Sequence, residues 1–180
     1  MIQIIVIGVV AVLVLLIVIV AMQPSAYKIV RSASISAPVT VVFGLVNDFH
    51  RWEAWSPWAK LDREAKNSFE GPPSGTGAMF GWAGNKKIGE GRMAILESRP
   101  NELIRIKLDF IRPFASTCTT EFTFQTEANQ TAVTWCMMGN NNFMAKAFCL
   151  FVNMDKMVGG DFERGLALMQ TAAEAQSKQP

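Results

Sequence analysis

Few residues in this chain are equipped for chemistry. Cys118, Cys136 and Cys149 are its three cysteines and His50 its one histidine. No C-x-x-C pair occurs, and one histidine with three scattered thiols does not make a tetrahedral zinc set, so no metal and no cofactor is expected. An odd number of thiols leaves at least one unpaired in a monomer. All three are read as core fillers in a reducing compartment. His50 is a conceivable general base, but it lies in the polar stretch Asp48-Phe49-His50-Arg51, where a histidine is normally solvated, and general-base catalysis needs a partner in reach. Ser56 sits in Trp55-Ser56-Pro57, outside any nucleophile motif, and Gly71-Pro72-Pro73-Ser74-Gly75 is a loop with no strand-to-helix frame for phosphate. Glu90 and Arg92, two apart in a strand, share a face. They are read as an exposed ion pair in preference to an inward pair that orients a ligand. No catalytic residue can be named, which leans against an enzyme.

What the chain has in quantity is aromatic and thioether side chains. Trp52, Trp55 and Trp58 recur every three residues until Pro57 ends the helical stretch. The leading reading is a plug of core at one end of a sheet; the rival is a cavity mouth or a contact with the membrane interface, where Trp is favoured. The candidate ligand-contact set is Trp55, Trp58, Phe80, Trp82, Phe110, Phe114, Met137, Phe151 and Met154, with Phe143 beside it. Flat rings and mobile thioethers suit a pocket that adapts to an apolar guest, and they suit ordinary packing equally well.

The elements that must position these residues begin with Ile2–Met22, which carries no charge and holds sixteen Ile, Val or Leu in 21 residues. At about 1.5 Å per residue it spans roughly 31 Å, the thickness of a bilayer core. β-branched residues disfavour helix in water, but in lipid the backbone must satisfy its own hydrogen bonds, so helix wins. A cleaved signal peptide would want a basic residue before the run, a shorter apolar core and a small-residue cleavage site. An uncleaved transmembrane anchor is expected instead. Lys28 and Arg31 follow it without a nearby acid, which places the large domain on the cytoplasmic side of a single-pass membrane protein.

After a short linker, 23–26, residues 27–173 are long enough for one domain with its own core, and 174–180 form a polar tail. Seventeen basic against fifteen acidic side chains leave +2, too balanced for a nucleic-acid footprint. Tyr27–Ile35 reads as a strand, followed by a helix with Ser36 as N-cap and Pro38 in its first turn. From about Asn67 the period becomes two. Gly84-Asn85 predicts a two-residue hairpin. The cleanest alternation sets Ile104, Ile106, Leu108 and Phe110 against Arg105, Lys107 and Asp109. Strands at Ser116–Thr126 and Thr131–Gly139 complete an antiparallel meander. From Phe143 to Met169 apolar residues return at three- and four-residue spacing as one helix, with a kink or break expected at Gly159-Gly160 because glycine costs about 1 kcal/mol against alanine inside a helix. The fold class is α+β: a curved antiparallel sheet around a long C-terminal helix, preceded by one transmembrane helix.

Several stretches resemble a known family. Ile35-Ser36-Ala37-Pro38-Val39-Thr40-Val41-Val42-Phe43, the Asp48-Phe49-x-x-Trp52-x-x-Trp55-Ser56-Pro57-Trp58 run, Gly84–Gly91, Pro113-Phe114, Gly139 with Phe143-Met144-x-Lys146, and Met154–Gly159 followed by Asp161-Phe162-Glu163 are similar to the polyketide cyclase/dehydrase-like branch of the START and Bet v 1 (SRPBCC) superfamily. The resemblance spans about residues 27–172 and implies the helix-grip fold. Members bind lipids, sterols, polyketides or aromatic metabolites, and some are enzymes, so fold likeness leaves activity open. The expected function is membrane-anchored binding or transfer of a hydrophobic, lipid-like small molecule in an internal cavity. The alternatives are a cyclase/dehydratase-type enzyme and a cochaperone-like protein-interaction module.

Overall fold

A computed structural model describes residues 1–177. Helix α1 (Ile2–Met22) is exposed along nearly its whole length, with Val20 its single buried residue. It is apolar on every side, and it is long and apolar enough to cross a membrane.

After Gln23–Ser25 the chain runs through β1 (Ala26–Ile35), α2 (Val39–Asn47), a 3₁₀ helix (Phe49–Ala54), β2 (Lys66–Glu70), β3 (Met79–Ala83), β4 (Glu90–Arg99), β5 (Leu103–Arg112), β6 (Ser116–Glu127), β7 (Gln130–Asn140), α3 (Phe143–Cys149) and α4 (Met154–Ser177). The polar tail expected at 174–180 starts as the last turn of α4, and residues 178–180 lie outside the described residues. All seven strands form one antiparallel sheet in the order β1-β7-β6-β5-β4-β3-β2. The meander β2–β7 is therefore contiguous, and β1 closes it on the β7 side. A bulge between Ile95 and Glu97 helps bend the sheet. Helix α4 lies in the resulting concavity against β1, α2 and the 3₁₀ helix. This is the α+β helix-grip architecture that the resemblance implies.

Alternation decides which side chains enter the concavity. Ile104, Ile106 and Leu108 are buried on one face of β5, as are Cys118, Thr120, Phe122 and Phe124 on β6. At the centre Trp135 stacks on Phe162 of α4 with ring centroids 4.0 Å apart, and Trp55 meets Trp135 and Phe122 edge-on. The 3₁₀ helix has three residues per turn, so Phe49, Trp52 and Trp55 project to one side. The indole N–H groups of Trp52 and Trp55 donate to the Val46 and Leu45 carbonyls, each at 2.9 Å. They thereby satisfy carbonyls at the end of α2 that have no partner within the helix.

Three local expectations are corrected. The C-terminal apolar stripe is two helices, and the break falls at Leu150–Asn153; α4 runs unbroken through Gly159-Gly160. Asn153 starts α4 by accepting a hydrogen bond from the Lys156 amide. Gly159 is there for close approach, since a Cβ would run into the Arg31 guanidinium on β1, which bridges Asp155 at 3.1 Å and Glu163 at 2.7 Å. The β3–β4 connection is a loop over residues 84–89, not a two-residue hairpin at Gly84-Asn85. Asp62 accepts from the Asn85 amide at 2.7 Å and pulls the loop toward the chain that leads into β2. Helix α2 takes Pro38 as its N-cap, while the Ser36 hydroxyl bonds Gln130.

Candidate functional site at the open end of the sheet

The strand register brings the start of β1 and the ends of β5 and β7 level with one another. Tyr27 pairs with Gly139, Gly139 with Cys118, and Cys118 with Leu108. These residues face the concavity, at the end where α3 and the turn after it replace the tight packing of α4. Gly139 leaves the room Tyr27 needs: a Cβ there would lie 2.7 Å from the phenol oxygen and 3.0 Å from Cys118 Cβ. The Tyr27 hydroxyl and the Cys118 side chain both border Gly139, with Cys149 of α3 close by. Burial first, then the Cys118 thiol, holds the Tyr27 phenol well above its usual range. Burial likewise pushes Cys118 up to about 11. Both groups stay protonated at neutral pH. They can donate a hydrogen bond to a carbonyl or hydroxyl, and neither is an ionised nucleophile.

An aromatic wall continues from this pair across the concave face. Phe110 meets Trp82 edge-on at 6.1 Å, Trp82 stacks on Phe80 at 6.1 Å, and Phe80 contacts Phe69 at 5.2 Å. The Trp82 indole is held by a 3.0 Å hydrogen bond to the Ile88 carbonyl. Gly91 opens the strand beneath it, since a Cβ there would come within 2.5 Å of the ring. Phe80, Trp82 and Phe110 stay half-buried because α4 covers the other half of the sheet. A hollow of about 440 Å³, open to the outside, follows Cys149–Met154 between α3 and α4. A smaller one of about 250 Å³ lies at the other end, by Phe49, His50 and the Phe69–Pro73 loop.

The nine candidate contact residues thus fall into separate places. Phe80, Trp82 and Phe110 form the wall. Met137 is buried on β7, two strands from Phe110, and Met154 is half-buried at the hollow. Phe151 at the hollow and Phe114 on the β5–β6 hairpin project outward, as does Phe143 on α3. Trp55 is fully buried in the central plug with Trp52, and Trp58 leans edge-on against Trp135 at 6.0 Å. His50 is exposed and bonds Asp48. Glu90 and Arg92 do not pair with each other, a further correction: Glu90 bridges Arg112 at 2.5 Å and Arg92 bridges Asp109 at 3.4 Å. Cross-strand neighbours are closer than residues two apart on one strand. Sequence reasoning missed Tyr27. Its signal was local, the only tyrosine, in step with Ile29 and Ile35, but its partners lie on β6 and α3.

A curved antiparallel sheet gripping one long helix, with a half-open apolar wall, defines an SRPBCC, START/Bet v 1-like domain. Within that class the chain belongs to the family described as polyketide cyclase / dehydrase and lipid transport, which matches residues 26–174. No curated protein matches the sequence. The fold is similar to protein MLL2253 from Mesorhizobium loti at 14% identity and a TM-score of 0.62, covering 83% of this chain and 98% of that one. It is similar to protein CV1439 from Chromobacterium violaceum at 14% identity and a TM-score of 0.60, covering 82% and 96%. The di-domain ARO/CYC StfQ from the steffimycin biosynthetic pathway matches at 11% identity and a TM-score of 0.60, over 84% of this chain and 52% of StfQ.

Proposed function

We propose that this protein binds an apolar or amphipathic, lipid-like small molecule at the open end of its sheet and exchanges it with a membrane in which α1 is anchored. The observation that carries the reading is the juxtaposition of the half-buried Phe80–Trp82–Phe110 wall with the protonated Tyr27–Cys118 pair. The wall offers contact to a hydrophobic body, and the pair offers a hydrogen bond to one polar end. The hollow along Cys149–Met154, whose Cys149 lies near Tyr27, is the entrance this reading requires. Lipid transport in the family's description and a helix able to span a bilayer support the same reading. Lys28 and Arg31, directly after α1, favour a cytoplasmic domain.

The test is native mass spectrometry of the full-length protein released from detergent, with extraction and identification of the bound molecule. A lipid-like adduct that Met154→Trp diminishes supports the reading. A bare protein mass, with no thermal shift from fatty acids, isoprenoids, sterols or aromatic polyketides, sinks it.

The enzyme reading is favoured by one observation, the neutral Tyr27 phenol beside a concave apolar face, since cyclisation or dehydration of a bound chain needs a proton donor in reach. Turnover of a polyketide-like substrate that Tyr27→Phe abolishes without loss of binding would establish it.

A further inference from the structure

The end of the domain next to α1 carries an apolar rim that the core does not use. Register makes this end level: Ala26 pairs with Asn140, Phe110 with Ser116, and Ala83 with Glu90. Here Phe114 is 79% exposed, Met144 72%, Phe148 53% and Phe151 86%. They sit on the β5–β6 hairpin, on α3 and in the turn after it. The loops at the opposite end, residues 99–102 and 127–130, are Arg-Pro-Asn-Glu and Glu-Ala-Asn-Gln. Those two hairpin loops are thus polar, whereas the end next to α1 gathers large apolar side chains that are mostly exposed, a cluster that marks a contact surface.

The position of α1 identifies what covers it. Only Gln23, Pro24 and Ser25 separate Met22 from Ala26, so even fully extended the chain reaches no more than about 14 Å. The junction is also tied down: the Asn141 amide donates to the Ser25 carbonyl at 2.8 Å, and Lys146 of α3 reaches the Ala21 carbonyl at 3.5 Å. With α1 across a bilayer, the start of α3 therefore lies at the lipid–water boundary. Lys28, Lys86 and Lys87 are exposed at the same level and have no carboxylate within salt-bridge distance among the described residues. Apolar tips with a fringe of lysines are the composition of a surface that dips into the headgroup region of an anionic membrane.

We propose that Phe114, Met144, Phe148 and Phe151 insert into the leaflet from which α1 emerges, with the lysine fringe at the level of the lipid phosphates. The proposal rests on α1 being a membrane span. Because Phe151 borders the hollow, insertion turns the mouth of the hollow toward lipid.

The test uses the full-length protein in nanodiscs of phosphatidylcholine and phosphatidylglycerol. One nitroxide at a time is attached at Phe114→Cys, Phe151→Cys or, at the polar end, Asn129→Cys, in a Cys149→Ser background where Cys118 and Cys136 are buried. Insertion predicts that dissolved oxygen relaxes the labels at 114 and 151 several-fold more than a water-soluble nickel chelate does, with the reverse at 129. If the protein resides in the nanodisc but all three labels meet the chelate alike, the rim proposal is overturned while the anchor stands. Labels at 114 and 151 shielded from both reagents would reveal a protein contact, a second copy included, and overturn it as well. A chain that does not enter the nanodisc removes the anchor and the rim together.

Discussion

Trp135 of β7 lies flat on Phe162 of α4, ring centroids 4.0 Å apart and planes within 6° of parallel. This contact sets the height of α4 above the sheet. Helix α4 runs along β1, and the Trp55–Phe122–Trp135 cluster fills the space around the stack. Toward α3 the filling thins to Tyr27, Phe110 and Met154.

Truncating Phe162 to alanine removes a fully buried ring and leaves a cavity beneath Trp135. The expected cost is about 3–5 kcal/mol, measured by urea unfolding of the full-length protein in detergent, followed by tryptophan fluorescence. A loss below about 1 kcal/mol would mean that the stack does not hold the helix.

Two glycines of α4 should respond in opposite ways. A Cβ at Gly160 meets nothing within 4 Å, so Gly160→Ala should stabilise by up to about 1 kcal/mol through helix propensity alone. At Gly165 a Cβ would sit 2.8 Å from the Trp135 ring and 3.2 Å from Pro57. Gly165→Ala should therefore destabilise by about 1–3 kcal/mol despite the better propensity. Equal melting temperatures for the two variants would contradict this placement of the helix.

Alkaline pH should weaken the domain. The Cys118 thiol has its usual value near 9.0 in the unfolded chain and about 11 in the folded one. The native state thus holds a proton that the unfolded state gives up first. The stabilisation is complete below pH 9 and is lost as pH rises through 11, on the order of 2–3 kcal/mol. Tyr27, also raised, adds a loss of the same sign at higher pH. Cys118→Ala should flatten the slope of stability between pH 9 and 11, whatever it does to stability at pH 7; an unchanged slope would show that Cys118 is not the group responsible.

Tyr27→Phe keeps the ring that Gly139 accommodates and removes only the hydroxyl. For an amphipathic guest whose polar end bonds the phenol, binding should weaken about tenfold, corresponding to about 1–1.5 kcal/mol for one hydrogen bond. A purely apolar guest should bind as before. Isothermal titration of the full-length protein with a fatty acid and the matching alkane separates the two, and equal loss for both would refute the role given to the hydroxyl.

Much of the fold was legible in the sequence because it is encoded between neighbours. An uncharged apolar run with the length of a bilayer core forms a helix long and apolar enough to cross a membrane. The period of two through Ile104–Phe110 settles which face of β5 is buried, as the structure bears out. Where the local signal was weaker the outcome differed. Gly159-Gly160 looked like a helix breaker on propensity alone, yet its lack of a side chain is what lets Arg31 lie across α4.

By itself, then, the sequence determined the apolar helix, the antiparallel meander of strands, and the aromatic supply of a helix-grip domain, since periodicity and composition act over a few residues. Only the tertiary structure decided that Tyr27 meets Cys118, that Glu90 pairs with Arg112 instead of Arg92, and that Trp55 fills the core while Phe114 and Phe151 face outward. Those outcomes depend on strand register and on where α4 comes to rest. Both are properties of the closed sheet, and no stretch of chain carries them alone.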